Sequence, residues 1–517
     1  MEKFYLTPYQ IEAIDPTGRG RTFLNAMRNS GAPTPTPKLW AYRSREEWLI
    51  RFQEWRTSTY ERMGAKYAFE RAFDEAHDCK YGGQGDPFTL LELQTKYEKS
   101  YAFAHRPIAL DPMLYHARRF LLDIIRHIKS VQGGILYPVH RGSDGTLSGL
   151  PMMAKKGSFT AESAFKPGWR HVDPDLPGQR SQRLKHRGIN VDAVSNVRYI
   201  ERSLSAVRIW LKTHIPELFA AWLNPHQELN PRITKCVANP QQFATEIDYD
   251  NCDDTFSWEI AEFLLPIYEE LLDGGDYLAF AACTEELFYQ PIFWGTYLTI
   301  GKHNLLSGQA ITNDFETLFD VLCMIAVVLE MEVPWSQIGL LTALGDDVLM
   351  FLPTTPEERT RPFDIYKRLA ESAGMIVNRA KSNIREKAGE CTFLRRAYST
   401  RSPRVPRYGS AIFQDEILGV YPSVLVWNNT INPEKHVRSL AECAVQFCAR
   451  CDNLIGSPIQ SAFVAFAWAS RNRKVNLPTY DELAAVKYSD WWLKVYGEEF
   501  SLKSSVTFHQ LHSQHLL

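Results

Sequence analysis

Asp346 and Asp347 stand side by side in Leu344-Gly-Asp-Asp-Val-Leu349, between the apolar runs 338–341 and 348–352. Apolar runs joined through a Gly-Asp turn predict a β-hairpin, here with two negative charges at its tip. Adjacent carboxylates repel, and a cation relieves that repulsion. A second acidic element comes earlier, Glu246-Ile-Asp248-Tyr-Asp-Asn-Cys-Asp253. The stretch 243–247 predicts a short strand, which puts Asp248 at a strand end facing the hairpin acids. Asp253 falls where the chain turns toward a helix over 256–272 that Thr255 can cap. Carboxylates on adjacent strand ends are what two divalent ions need for in-line phosphoryl or nucleotidyl transfer. One ion lowers the pKa of an attacking hydroxyl and the other stabilises the leaving pyrophosphate oxygens. Mg²⁺ suits such a site, because it takes few protein carboxylates and keeps places for water and phosphate.

Between the two acidic elements runs Leu306-Ser307-Gly308-Gln-Ala-Ile-Thr312-Asn313, which leads into a helix over 309–330. A Ser-Gly loop brings its backbone close to a ligand, and the helix start offers free N–H groups to anionic or polar atoms. A strand, a loop with its helix, and a hairpin are therefore the elements that must position the chemistry.

Asp-x4-Asp, Ser-Gly-x3-Thr and Gly-Asp-Asp, in that order, resemble palm motifs A, B and C of viral RNA-dependent RNA polymerases. Flanking segments fit the same family. Ser148-Gly149-Leu-Pro-Met-Met-Ala-Lys155-Lys156-Gly resembles the motif G loop that guides the template. Lys185-His-Arg187-Gly-Ile189 resembles motif F, which covers the incoming triphosphate. Residues 373–381, ending in Lys381, resemble motif D, and Cys391-Thr-Phe-Leu-Arg395-Arg396 resembles motif E. The resemblance spans 146–400 and is strongest to picobirnaviruses, with partitiviruses next. It implies an α+β right-hand fold of fingers, palm and thumb, with a small antiparallel palm sheet backed by helices. It also implies template-directed RNA synthesis for a small double-stranded RNA genome.

The resemblance assigns roles to residues. Asp248, Asp346 and Asp347 would hold two Mg²⁺ ions, for which Mn²⁺ can substitute. Lys185 and Arg187 would neutralise triphosphate charge, and Lys381 would protonate the pyrophosphate. Asp253 would accept a hydrogen bond from the ribose 2′-hydroxyl, and Ser307, Gly308, Thr312 and Asn313 would shape the nucleotide loop. Ser148, Gly149, Lys155 and Lys156 would touch template, and Arg395 and Arg396 the growing strand. One departure stands out. Many members carry Asn four residues after the motif B Thr, where it helps sense the ribose 2′-hydroxyl; this chain has Glu316 there, and the group that assists in that sensing is left open among Glu316, Asn313 and the loop backbone. Two other classes compete with the polymerase: a non-catalytic RNA-binding or capsid-associated protein of similar fold, and a reverse transcriptase. The retained aspartates argue against the first, and Asp253 with its Ser-Gly loop against the second.

The 517 residues are 45% hydrophobic and 12% aromatic, enough to bury a large core with several lobes. No apolar run approaches the ~18–20 residues that span a bilayer, and the N-terminus lacks the apolar stretch of a secretory signal. The expected setting is a virion interior and the cytoplasm of an infected cell, with no secretion. RNA template and product, nucleoside triphosphates and a viral capsid protein are the expected partners. With 58 Lys+Arg against 60 Asp+Glu, overall charge does not point to nucleic acid. Its distribution does: basic residues predominate over 155–208 and acidic ones over 246–276, so cations can hold phosphates opposite carboxylates that hold metal. Nine scattered cysteines predict reduced thiols. Cys448-x-x-Cys451 lacks a second pair at zinc spacing and reads as helix thiols.

Residues 1–40, rich in Gly, Pro and Thr, read as an extended arm. Helical periodicity covers 44–80, 88–130 and 198–223, with loops and short strands over 133–190. As a hand, 1–242 are arm and fingers, 243–272 palm, 273–304 a fingers insertion, 305–400 palm, and 401–517 thumb and tail. The tail after Lys503 has no acidic or basic Asp, Glu, Lys or Arg and no clean helical stripe; it is expected to fold back toward the palm and affect initiation.

Overall fold

Apolar residues at every third or fourth position dominate the chain, and helices accordingly frame a few short strands. The computed structural model describes residues 1–28, 45–69, 71–72, 89–132, 136, 149–151, 153, 173–182, 185–223, 228–394, 396–400, 407–409, 441, 479–486, 503 and 505–513. The helix thiols expected at Cys448 and Cys451 lie outside them.

The N-terminus departs from the arm expected of it. Strand β1 (Glu2–Tyr5) is followed by α1 (Pro8–Ile14), where Thr7 and Gln10 form a capping box, and by α2 (Arg19–Arg28). A pattern of Gly and Pro hid helices that capping and burial stabilise. Next come α3 (Arg45–Met63), α4 (Leu90–Phe103) and α5 (Pro112–Gln132), as the periodicity predicts. The hairpin β2 (Leu176–Gln182) and β3 (Lys185–Val191) leads to α6 (Val194–His214) and α7 (Asn230–Ala238).

Strand β4 (Phe243–Ile247) matches its expected span. The segment after it does not form one long helix. A single helical turn, α8 (Cys252–Thr255), precedes α9 (Trp258–Leu271), whose N-cap is Ser257 rather than Thr255. The Thr255 hydroxyl is spent inside the turn, donating to the carbonyls of Asn251 and Cys252. Asp273 caps α10 (Gly274–Leu287), accepting from Gly275 N at 2.8 Å, so the acidic Gly-Gly segment starts a helix. Strands β5 (Ile292–Phe293) and β6 (Tyr297–Ile300) follow, and β6 pairs antiparallel with β1, Glu2 opposite Ile300.

The remaining described elements are α11 (Thr312–Glu330), the hairpin β7 (Leu340–Leu344) and β8 (Asp347–Leu352), α12 (Arg361–Ser372), β9 (Asn383–Ile384), β10 (Glu390–Phe393), β11 (Arg396–Ser399), β12 (Arg407–Gly409), α13 (Tyr480–Ala484) and α14 (Val506–Ser513). The tail thus contains a helix where no stripe was legible. Phe508 is buried, its ring centroid 6.1 Å from that of Tyr480. No helix among the described residues is long and apolar enough to cross a membrane.

The central sheet has the order β7-β8-β4-β9 and is antiparallel throughout. Side chains alternate across a strand, and both faces are covered. Leu341, Ala343, Val348, Met350 and Leu352 join the core formed with α5, α9, α11 and α12, while Leu340, Leu349, Phe351 and Ala244 face α7 and the β10–β11 hairpin. Helix α11 is buried continuously from Asp314 to Val328, its polar residues Asp314, Glu316, Thr317 and Asp320 gathered in the N-terminal half. A separate core gathers α2, α4, β2, β5 and Leu306 beneath the β2–β3 hairpin.

Glu246 fastens the central sheet to β10. Its buried carboxylate receives Arg385 Nε at 2.7 Å and Nη2 at 3.0 Å, and Thr392 N at 2.9 Å. Breaking such a pair leaves a buried charge alone, at a cost of roughly 3–5 kcal/mol. Glu246→Ala should therefore lower the thermal unfolding midpoint by several degrees, measured by circular dichroism, and more than the exposed Glu371→Ala does.

Candidate active site

The acidic tip is built by backbone geometry first. Leu344 pairs with Asp347, so Gly345 and Asp346 form a two-residue turn. Gly345 has φ +59 and Asp346 does not share the left-handed conformation, the pattern of a II′ hairpin turn. A Cβ on Gly345 would lie 3.1 Å from Asn313 Nδ2 and 3.4 Å from Glu316 Oε2. The turn is also tied to α11: Gly345 N donates to Thr317 Oγ1 at 2.8 Å, and that hydroxyl donates to Asn313 O at 2.6 Å. Below it, the buried Asp320 accepts from the hydroxyls of Tyr249 and Tyr366, each at 2.7 Å. Burial pushes its carboxyl well above the usual range, and the fields of Asp346 and Asp347 add to that push.

Ile247 pairs with Val348; one residue further, Asp248 falls beside Asp347. Its backbone is clasped by the segment expected to be motif D, with Asn378 N donating to Asp248 O at 2.8 Å and Asp248 N donating to Ser382 Oγ at 3.0 Å. Lys381 Nζ lies 2.9 Å from Asp250 Oδ1 and 3.7 Å from Asp248 Oδ1. The hydrogen bond to Asp250 holds the ammonium above its ordinary pKa, and Lys381 and Asn378 together hold Asp250 below the usual carboxylate range. Asp250 was missed in the sequence, although its spacing two residues after Asp248 puts both on one side of an extended chain.

The carboxylates of Asp248, Asp346 and Asp347 form an oxygen-only donor set at contiguous strand ends, which fits a hard divalent ion. Among the described residues no three acid, His or Cys side chains converge on one point. Asp248 is 43% exposed, with Lys381 Nζ 3.7 Å from its Oδ1.

Asp253 sits on α8, just after Asn251 in the left-handed conformation (φ 53). Burial pushes its carboxyl up, while hydrogen bonds with Glu316 and Ser307 and the field of Lys96 pull it back. Glu316 is buried, and its Oε1 has no partner among the described residues. Burial and then the neighbouring Asp253 push it well above the usual range. Two acids in hydrogen-bond contact share a proton, so neutral Glu316 can donate to ionised Asp253. Of the three groups the sequence left open, Glu316 is the one whose carboxyl and that of Asp253 perturb each other. Asn313 lies against the Gly345 turn instead.

Strand β3 seats the Ser-Gly loop. Asn190 N donates to Ser307 O at 2.6 Å, and Ala310 N to Asp192 Oδ2 at 3.3 Å. Thr312 Oγ1 returns to Leu306 O at 3.1 Å, where α11 begins three residues later than expected. Asn190 Nδ2 bridges the buried Asp175 and Asp192, the latter at 2.8 Å, and Gln309 Nε2 reaches Asp175 at 3.4 Å. Gly308 has φ +99, and a Cβ there would come 2.8 Å from Asn190 O. Gly149 has φ +68, and its Cβ would come 2.2 Å from Asp192 O. The expected template loop and nucleotide loop thus rest on the same three residues of backbone, 190–192.

Gly308→Ala should raise the nucleotide KM by roughly ten- to hundredfold, since left-handed strain of about 1–3 kcal/mol adds to the close approach. Steady-state kinetics beside a melting curve would check this. An unchanged KM would show the loop adapts.

Lys185 and Arg187 lie on β3, but their side chains fall outside the described part, as do Ser148, Lys155, Lys156 and Arg395. Arg396 Nη1 donates to Asn230 Oδ1 at 3.2 Å, which Tyr398 OH also reaches at 2.6 Å. Its guanidinium is thus engaged with α7 in this arrangement.

Sheet, acidic hairpin and flanking helices together make the right-hand polymerase fold, of class α+β with small antiparallel sheets. The chain is similar to the crystal structure of the RNA-dependent RNA polymerase of a human picobirnavirus, with TM-score 0.72 and 15% identity, covering 99% of this chain and 100% of that one. An insertion-loop deletion mutant of a human picobirnavirus polymerase gives TM-score 0.67 at 15% identity, with 99% and 100% covered. No protein-family model and no curated protein matches the sequence.

Proposed function

We propose that this protein is an RNA-directed RNA polymerase that copies and transcribes a small double-stranded RNA viral genome. One observation carries the reading: β4 and the β7–β8 turn bring Asp248, Asp346 and Asp347 to contiguous strand ends within a right-hand polymerase fold. Asp248, Asp346 and Asp347 would hold two Mg²⁺ ions (or Mn²⁺), which supply Lewis acidity at the attacked phosphate and a lowered pKa for the attacking hydroxyl. Asp253, held by Glu316 and Ser307, accepts from the ribose 2′-hydroxyl. The Ser307–Gly308 loop positions template and sugar, and Lys381, kept charged by Asp250, stands ready to donate a proton to the pyrophosphate. Lys185 and Arg187 balance triphosphate charge. Residues 1–242 and 273–304 serve as fingers, 243–272 and 305–400 as palm, and 401–517 as thumb, working in the virion interior and the infected cytoplasm beside capsid protein.

Supplying an RNA template with ribo- or deoxyribonucleotides, with and without Mg²⁺, tests this. Ion-dependent ribonucleotide incorporation is the expected result. Preference for deoxyribonucleotides would make the protein a reverse transcriptase, and no incorporation of either would leave an RNA-binding protein of the same fold.

A further inference from the structure

Helix α4 carries two cations, Lys96 and Lys99, three residues apart and hence on one face. Both line a cavity of about 430 Å³, together with Thr95, Asn251 and Asp254. A smaller cavity of about 20 Å³ shares Lys96 and Asp254 with it and reaches Gly188, Asp253 and Ser307. Lys96 therefore stands between an opening the size of a small-molecule site and the carboxylate proposed to sense the sugar.

The chain makes room for this lysine. A Cβ at Gly188 would lie 3.2 Å from Lys96 Cδ, so the glycine of β3 lets the aliphatic stem pass. Tyr97, next along α4, donates its hydroxyl to Ile189 O at 2.7 Å and fixes helix against strand. Among the described residues neither ammonium has an ion-pair partner, although the field of Lys96 reaches both Asp253 and Asp254. Glu92, also in the wall of the larger cavity, has its carboxylate committed to Thr89 N at 2.7 Å. A half-buried cation with no carboxylate in ion-pair contact among the described residues, in a nucleotide-sized cavity, suits a polyanionic ligand.

We propose that Lys96, assisted by Lys99, binds the triphosphate of the incoming nucleotide. This rests on the polymerase reading and adds to it a helix that none of the sequence motifs covers. A template backbone would need an extended groove, whereas this cavity fits one nucleotide.

The test is nucleotide kinetics on an RNA template with Lys96→Met, Lys96→Arg and Lys99→Met, using inorganic pyrophosphate as an inhibitor. Losing one charged contact should raise the nucleotide KM of Lys96→Met roughly ten- to hundredfold. Its kcat should stay within about threefold, and pyrophosphate inhibition should weaken in parallel. Arg should restore most of the loss, and Lys99→Met should move KM the same way by less. Unchanged KM and unchanged pyrophosphate inhibition in an active enzyme overturn the assignment. So does weakened template affinity with normal nucleotide KM, or an altered ribose preference alone, which would reduce Lys96 to a charge partner of Asp253. A wild-type protein that incorporates no nucleotide defeats the polymerase reading itself, and this assignment with it.

Discussion

Asp346→Ala should lose nearly all nucleotide incorporation, by at least about a thousandfold, while the protein melts as before. The size follows from the role proposed for the side chain. A carboxylate that holds divalent ions at the reacting phosphate is worth several kcal/mol of transition-state stabilisation, and each 1.36 kcal/mol is about a factor of ten in rate. The unchanged stability follows from where it sits. Asp346 is exposed at the second position of the hairpin turn, while the left-handed demand falls on Gly345. Core side chains begin with the buried Val348. Removing the carboxylate even relieves repulsion from Asp347. Single-nucleotide incorporation, read beside a thermal melt, checks both halves. An Asp346→Ala protein that folds and incorporates nucleotides at near-normal rates would refute the metal assignment.

Sugar selection carries the next largest effect. Asp253→Ala should lower the ratio of ribo- to deoxyribonucleotide efficiency by about five- to more than a hundredfold, the value of roughly 1–3 kcal/mol for one buried hydrogen bond. Glu316 gives the sharper comparison. If its neutral carboxyl donates to Asp253, the amide of Glu316→Gln can do the same and the ratio should hold. Glu316→Ala removes the donor, opens a cavity beside the Gly345 turn, and should approach the Asp253→Ala ratio. A Glu316→Gln enzyme as unselective as Glu316→Ala would mean that the ionised glutamate is needed.

How much of this could be read from the chain depended on range. The strand at 243–247 and the Gly-Asp-Asp hairpin were legible because alternation and a glycine turn are local signals, and both stand as expected. Ser307-Gly308 was legible as a loop, but its seat on Asn190 was not: the contact joins residues more than a hundred positions apart. Asp250 with Lys381 is another contact of that range, and Lys96 one nearly as long, since its helix resembles any amphipathic helix until β3 is laid against it; for Asp253 the sequence offered Glu316 only as one of three candidates. Strand β1 is exposed at all four positions and shows no burial alternation; its partner β6 decides it. Thr255 lost the capping role because α9 starts two residues further on, where Ser257 has the extended backbone that a cap requires. In the tail, the buried Phe508 anchors a helix whose sequence shows no clean stripe.

Helix α11 sets where motion can occur. Its amides from Phe315 onward lie in a stretch with no exposed side chain as far as Val328, so they should exchange hydrogen for deuterium only when the whole domain opens. The loop 306–311 ends on the first turn of that helix, with Ser307 half-buried and Gly308 exposed, and its amides should exchange orders of magnitude sooner. Any adjustment during nucleotide loading then pivots at Thr312, with a slow-exchanging rod on one side and a fast-exchanging loop on the other.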